Sequence, residues 1–386
     1  MRTIGITLTL LVFLSGTLQA NNQKLTRQQA EQAKAQLVEQ WKQDMRDQLR
    51  SDYRALVMHH DTISMPIWRY IYGNAPLGER SMFISMHGGG GSPHWLNNQQ
   101  WDNQKHLYIP PEGLYVAPRA PWDEWNMWFK PGIDELFRNL IHAAVAFDGV
   151  NPNRIYLTGY SAGGDGTWRM APRMADTWAA ASMMAGHPGD VSLLNLRNTP
   201  FMIWCGGDDA AYDRNRLDRE RGLEMDSLQQ ADPEGYIHGT HIMEGMGHWM
   251  NRADTVAVPW MAQYKRNPYP RKIVWQQEEV LRPSFYWLQA PAGELKRGQR
   301  VRLTCQDNMI DISECTYSQL TLWLNDELVD LDRPVKVRYQ GRTLFSGKLQ
   351  RTRENMEQSL RDRGDLSYCF PAKVKIIISE NYKATI

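Results

Sequence analysis

A serine between glycines is the residue of this sequence whose surroundings most directly suggest chemistry. Ser161 lies within 159–163 (GYSAG), where an apolar run that predicts a β-strand passes into a stretch that predicts a helix. Flanking glycines permit the tight strand-to-helix turn that lifts a serine hydroxyl above a sheet. The N-terminus of the following helix favours negative charge that develops nearby. The pattern therefore indicates a nucleophilic serine.

A carboxylate and a histidine follow this serine in the chain. Another predicted strand ends in residues 206–209 (GGDD), so Asp208 or Asp209 lies at its C-terminal end. His248 follows a further predicted strand, in a glycine-flanked loop. A carboxylate in that position is well placed to orient a histidine, which takes the proton of the attacking serine. Serine, aspartate and histidine in this order are expected of an α/β-hydrolase.

A glycine-rich loop upstream supplies candidate donors for the charge that such a reaction develops. Residues 87–91 (HGGGG) follow a predicted strand. The backbone N–H groups of Gly88 and Gly89 are free of side-chain obstruction, and with the N–H of Ala162 they would form an oxyanion hole. His87 is expected to shape this loop and to take no part in catalysis.

Tryptophan is abundant, with 15 residues in the chain. Trp95, Trp101 and Trp125 belong to long connections after predicted strands, and Trp249 is the neighbour of His248. Loops at the C-terminal ends of parallel strands surround the catalytic face, so these four indoles are candidates for an acyl or sugar platform. The alternative is that the long connections pack on themselves with tryptophan as filler.

Short apolar runs alternate with helical stretches from about residue 67, which predicts an α/β fold with a largely parallel sheet covered on both faces. The predicted strands are 68–72, 82–86, 114–117, 155–158, 180–184, 201–205 and 237–243. The predicted helices are near 133–147, 162–170, 212–230 and 253–264. Pro172 is expected to end or kink the second of these helices near Met170.

The sequence texture divides the chain into four segments. Residues 1–20 resemble a signal peptide, and residues 21–58 contain an amphipathic helix with a capping box at Thr26. Residues 59–270 form the predicted α/β-hydrolase catalytic domain, and 271–386 a small, mostly β C-terminal domain. Cys305, Cys315 and Cys369 all lie in the last segment, where export would make one disulfide plausible, and we favour a bridge that involves Cys369.

Charge and targeting features narrow the class of protein. The chain has 44 Lys and Arg residues and 43 Asp and Glu residues. Removal of Arg2 with the signal peptide would leave 43 of each and a formal net charge of zero. Nucleic acid and anionic membranes are therefore not expected partners. The leader has no stop-transfer pattern, and no cysteine precedes Cys205, which predicts a secreted or periplasmic protein without a stable membrane anchor. No cluster has zinc spacing, so neither a metal nor a cofactor is expected.

Residues 80–265 resemble an α/β-hydrolase, specifically the secreted serine esterases of the polyhydroxybutyrate depolymerase-like and feruloyl-esterase-like groups. The stretches 159–166 (GYSAGGDG) and 185–188 (AGHP) carry this resemblance, which covers about half of the chain. The resemblance favours Asp209 as the acid of the triad, with Asp208 as the alternative. It implies hydrolysis of a small or polymer-linked carboxylic ester through an acyl-enzyme on Ser161.

Two other functions are compatible with these residues. A serine peptidase of the prolyl-oligopeptidase type uses the same triad, but the 60 residues before the core are too few for the β-propeller of that group. A non-catalytic binding protein on a hydrolase scaffold usually lacks a triad member, whereas all three are present here. The oligomeric state and the role of the C-terminal domain are left open by the sequence.

Overall fold

The computed structural model describes residues 24–378, so the predicted signal peptide over residues 1–20 lies outside the described residues. An eight-stranded sheet organises the first two thirds of the chain, with the strand order β1-β2-β4-β3-β5-β6-β7-β8. Its strands are β1 (Val57–His60), β2 (Ile63–Tyr72), β3 (Arg80–Met86), β4 (Gly113–Pro118), β5 (Val150–Tyr160), β6 (Ala180–Met184), β7 (Phe201–Gly206) and β8 (His238–Met243).

The sheet is mostly parallel. The strands from β4 through β3 to β8 all run parallel to their neighbours, and the pairings of β2 with β1 and with β4 are antiparallel. Strands β4, β6 and β7 are buried along their whole length, as expected of strands that are covered on both faces. The chain therefore has an α/β-hydrolase-like fold.

Seven α-helices accompany the sheets within residues 24–378. They are α1 (Arg27–Ala55), α2 (His94–Leu107), α3 (Ile133–Asp148), α4 (Ala162–Arg173), α5 (Arg214–Ala231), α6 (Ala257–Met261) and α7 (Arg353–Arg363). None of these is long and apolar enough to span a membrane. Pro172 lies in the last turn of α4 and does not end the helix near Met170; the N–H of Met174 donates to the carbonyl of Met170 and closes that turn.

Helix α1 begins with the predicted capping box, in which Thr26 and Gln29 exchange side-chain and backbone hydrogen bonds. Its apolar stripe packs along α3: the Trp41 ring meets His142 edge-on at 5.1 Å, and Tyr53 stacks on Phe147 at 5.3 Å. The Nε of Arg46 also donates to a backbone carbonyl of α3 at 2.8 Å. These contacts hold α1 against the helix that covers one face of the sheet.

Residues 272–377 build two further sheets with a hydrophobic cluster of their own. Their strands are β9 (Lys272–Gln276), β10 (Ser284–Phe285), β11 (Leu288–Gln289), β12 (Arg300–Gln306), β13 (Met309–Cys315), β14 (Gln319–Leu324), β15 (Val335–Tyr339), β16 (Arg342–Gly347) and β17 (Ala372–Ile377). The five-stranded sheet has the order β16-β15-β13-β12-β9, and the four-stranded sheet β10-β11-β14-β17. The division of the chain into domains at residue 270 stays a prediction.

All four cysteines are free and buried, so the expected disulfide with Cys369 is wrong. Asp307 and Asn308 form the tight turn between β12 and β13, both with positive φ. That register pairs Cys305 with Ile310 and Cys315 with Val301, at opposite ends of the hairpin. Cys369 packs in the core of the central sheet, away from the cluster that holds the other two.

Candidate active site

Ser161 occupies the turn between β5 and α4. Its φ of 57° and ψ of −119° are strained for a residue with a side chain. The turn is possible only with glycines around it: a Cβ on Gly163 would lie 2.2 Å from the carbonyl oxygen of Met86, and one on Gly159 would lie 2.1 Å from the carbonyl oxygen of Gly163. Close backbone contacts thus explain the G-x-S-x-G spacing seen in the sequence.

The structure brings Ser161, His248 and Asp209 into one hydrogen-bonded chain. The Nε2 of His248 lies 2.9 Å from the Oγ of Ser161, and its Nδ1 lies 2.7 Å from Oδ2 of Asp209. Asp209 is 3% exposed, whereas the His248 side chain is 43% exposed and faces the solvent-filled side of the site. A buried carboxylate on Nδ1 leaves Nε2 free to accept the serine proton.

The geometry distinguishes among the three aspartates that follow β7. Asp208 is exposed, and within the described chain its side chain makes no hydrogen bond. Asp213 precedes the first residue of α5 and pairs with the exposed Arg216 at 3.2 Å. Only Asp209, of these three, reaches His248.

Tyr160, which the sequence analysis did not single out, supports the loop that carries the histidine. Its hydroxyl donates to the carbonyl oxygen of His248 at 2.7 Å and accepts from the N–H of Met250 at 3.3 Å. Its ring also meets the imidazole edge-on at 5.9 Å. The residue immediately before the candidate nucleophile therefore fixes the position of the candidate base. The GYSAG pattern contains this tyrosine, but its contacts depend on the tertiary fold.

The glycine loop after β3 approaches Ser161 closely. A Cβ on Gly88 would lie 3.0 Å from the Cβ of Ser161, and one on Gly89 would lie 2.0 Å from Oδ1 of Asn97. The buried Asn97 accepts from the N–H of Gly90 at 2.9 Å and donates to the carbonyl of Gly90 at 3.0 Å. A Cβ therefore has no room at Gly89 and would be tightly packed at Gly88, in a loop that Asn97 holds.

His87 is a structural residue of this loop. Its Nδ1 donates to the carbonyl of Gly88 at 2.6 Å, and its Nε2 accepts from the N–H of Ala120 at 3.1 Å. These bonds require a neutral imidazole. Burial lowers the pKa of His87 to about 3, which agrees with that state. The imidazole joins the glycine loop to the segment after β4.

Two cavities border Ser161. The first, of about 750 Å³, contains His248, Trp249 and Leu107 in its wall. The second, of about 580 Å³, is lined by Ala162, Trp125 and other residues that include two arginines. Gly89 and Ser161 border both. A substrate with groups on both sides of a scissile bond would find room for each.

The four tryptophans predicted to bind substrate separate into two pairs. Trp125 and Trp249, which are 66% and 50% exposed, line the two cavities beside Ser161. Trp101 instead donates its indole N–H to the carbonyl of Ala117 at 2.9 Å and packs beneath a lysine of its own helix. Trp95 is exposed at the start of α2 and lines neither cavity. The structure does not bring the latter pair to the site.

Asp165 ties α4 to the loop after β6. Its Oδ1 accepts from the N–H of His187 at 2.6 Å, and burial raises the pKa of this carboxyl above its usual value. The Nδ1 of His187 accepts from the N–H of Gly189 at 3.0 Å.

Within residues 24–378 no group of three or more His, Cys, Asp or Glu side chains could hold a metal ion.

No protein-family model and no curated protein sequence matches the chain. Among solved structures, a thermostable esterase is similar with a TM-score of 0.40 and 18% identity over 53% of this chain, which spans 60% of that protein. Esterase 2 of Thermogutta terrifontis has a TM-score of 0.36 at 17% identity, with 53% of this chain and 88% of that one covered. An acetyl xylan esterase from Aspergillus awamori has a TM-score of 0.37 at 13% identity, with 51% and 93% covered. Structural similarity at these TM-scores and identities does not indicate an activity for this chain.

Proposed function

We propose that the chain is a serine hydrolase that cleaves carboxylic esters. The observation that carries the proposal is the hydrogen-bonded chain from Ser161 Oγ through His248 to the buried Asp209, with distances of 2.9 and 2.7 Å. A serine hydroxyl is a weak nucleophile until an adjacent base takes its proton, and this chain supplies that base and its orienting carboxylate.

The reaction then follows in two halves. Ser161 Oγ bonds to the acyl carbon while His248 Nε2 takes its proton, and collapse of the intermediate breaks the ester C–O bond as that proton passes to the leaving alcohol. Water, deprotonated by the same imidazole, attacks the acyl-enzyme and releases the acid. The N–H groups of Gly88, Gly89 and Ala162 are the proposed donors to the oxyanion in both halves.

The proposed substrate is a small or polymer-linked carboxylic ester, and export to the periplasm or the outside of the cell belongs to the same proposal. Trp249 lines the first cavity beside the nucleophile and Trp125 the second, and both are proposed to contact the substrate. Aromatic surfaces of this kind bind apolar acyl chains, aromatic acids and sugar rings. The predicted leader at residues 1–20 supports export.

The test is hydrolysis of 4-nitrophenyl acetate and butyrate by the mature chain. Ser161→Ala is expected to lower kcat by at least about 10⁴-fold, as removal of a triad serine does elsewhere. Ser227→Ala, on the exposed side of α5, is the matched control and should keep the rate of the parent. Parent activity that survives in Ser161→Ala would overturn the proposal, and preferential cleavage of peptidyl anilides would favour a peptidase.

A further inference from the structure

The wall of the second cavity beside Ser161 contains a weakly paired cation. His248 is not among the residues that line this cavity, which is bordered by Arg169, Arg214 and Tyr212. Arg169 is already paired, since its Nη1 lies 2.6 Å from a carboxylate oxygen of Glu279. The shortest ion pair of the Arg214 guanidinium is the 3.9 Å contact of its Nη1 with Oδ1 of Asp209.

Arg214 is buried and nearly unpaired. It is 8% exposed, yet its hydrogen bonds within the described chain amount to one contact of 3.5 Å from Nη1 to the carbonyl of Ala211. Its Nε is buried without a partner, and Nη2 donates to no described residue. A guanidinium has five N–H donors, and leaving them unused in a buried site costs free energy.

None of the three acids near Arg214 forms a hydrogen bond with its guanidinium. Asp209 lies 3.9 Å away and directs its other oxygen to His248. Asp165 and Asp218 are both buried, and burial raises the pKa of each carboxyl, that of Asp218 strongly. Neither forms a hydrogen bond with the guanidinium. The guanidinium thus borders the second cavity with most of its N–H groups unused by the described residues.

We infer that Arg214 binds a carboxylate on the acyl part of the substrate, so that the preferred esters are monoesters of dicarboxylic acids or related acids with a second anionic group. This rests on the proposed function. The leaving alcohol must stay near Nε2 of His248, which protonates it, and His248 lines only the first of the two cavities. The acyl part therefore extends into the second, where Arg214 is the available cation.

The ring of Tyr212 supports this assignment. It lies 4.9 Å from the Arg214 guanidinium, on the same cavity wall. Tyr212 and Asp213, which precede the first residue of α5, both have positive φ, 56° and 59°, a strained conformation. The aromatic face covers one side of the guanidinium and leaves its edge for a planar, bidentate acceptor such as a carboxylate.

The test compares 4-nitrophenyl monoesters of succinic, glutaric and adipic acid with the same compounds methylated at the distal carboxylate. At the best chain length the parent should prefer the anionic ester by about 10- to 100-fold in kcat/KM, the range of a charge-assisted hydrogen bond. Arg214→Gln should bring that ratio close to one, and Arg214→Lys should keep part of it. Arg216→Gln, on the exposed face of the same helix, removes an equal charge and should keep the ratio of the parent.

Other outcomes overturn the inference. An equal loss on both esters in Arg214→Gln would mean that the residue only positions Asp209. A preference for esters that carry the anionic group on the alcohol part, and not on the acyl part, would place the anion in the first cavity and contradict the inference. Calorimetric binding of adipate to Ser161→Ala, with and without Arg214→Gln, needs no turnover. Arg214-dependent binding would uphold the site even if ester hydrolysis failed, and no binding at millimolar adipate would refute it.

Discussion

Replacement of either aspartate at the end of β7 by asparagine separates the favoured triad acid, Asp209, from its alternative, Asp208. In Asp209→Asn the side chain keeps its size and remains 2.7 Å from Nδ1 of His248, but an amide NH₂ can now donate to that nitrogen. The imidazole then carries its proton on Nε2, which faces Ser161 Oγ at 2.9 Å and can no longer accept the serine proton.

The size of the effect follows from the loss of this base. A serine hydrolase with the wrong histidine tautomer loses about 10⁴ in kcat, which corresponds to about 5.5 kcal/mol of activation free energy. Asp208→Asn removes the same charge one residue earlier, from an exposed side chain, and should stay within about twofold of the parent because such surface changes are weak. The assay is steady-state hydrolysis of 4-nitrophenyl butyrate, with circular dichroism to establish that both variants fold. An Asp209→Asn rate within tenfold of the parent, or an equal loss in Asp208→Asn, would refute the reasoning.

Three further predictions test the scaffold. Asn97→Ala should lower kcat by about 10- to 100-fold with less effect on KM, because the glycine loop loses its clamp; a change in KM alone would argue against this. Asp176→Ala should lower the free energy of unfolding in urea by about 3–5 kcal/mol, since it leaves the buried Arg363 unpaired; a loss below about 1 kcal/mol would contradict it. Burial lowers the pKa of His87 to about 3 and of His142 to about 4 from a usual 6.5. As the pH is lowered, the imidazoles of the unfolded chain are protonated before those of the folded chain. The free energy of unfolding should therefore decrease as the pH drops from 6.5, by roughly 2–3 kcal/mol for each imidazole at pH 4.5. Urea midpoints that stay constant from pH 7 to 4.5 would contradict this.

The inner strands β4, β6 and β7 of the central sheet were predictable because they are buried along their whole length. Such strands read as continuous apolar runs, and 180–184 has the same bounds in the structure as in the sequence analysis. The edge strand β1 and the strands β13 and β16 lack that signal and were not predicted. Their burial alternates or is only partial, so that polar side chains interrupt the pattern.

Helix α2 shows why periodicity fails at a functional site. Its two buried residues are polar, Asn97 and Gln104, so the helix has no apolar stripe and resembles a polar connection. Asn97 holds the glycine loop, and Gln104 donates to the buried hydroxyl of Ser85 at 2.6 Å. Polar residues that are buried in order to position a loop carry no signal that a hydrophobicity pattern can detect.

The candidate triad was predictable in residue type and order, since glycines constrain the turn around Ser161 and the loop around His248. Arg214 was not, because in the sequence it is one of several charged residues at the start of a polar helix. Only the tertiary structure separates it from Arg216, two residues later, which is exposed and paired at 2.7 Å with Glu220. The same holds for Trp101, which is partly buried, and Trp125, which is exposed.

Covalent labelling with a fluorophosphonate, followed by intact mass and peptide mapping, tests the central claim most directly. The account predicts one adduct per chain, on Ser161, with no adduct in Ser161→Ala and a strongly slowed reaction in His248→Ala, because the hydroxyl reacts only when the imidazole at 2.9 Å accepts its proton. A folded parent chain that stays unlabelled, or an adduct on another residue, would contradict it.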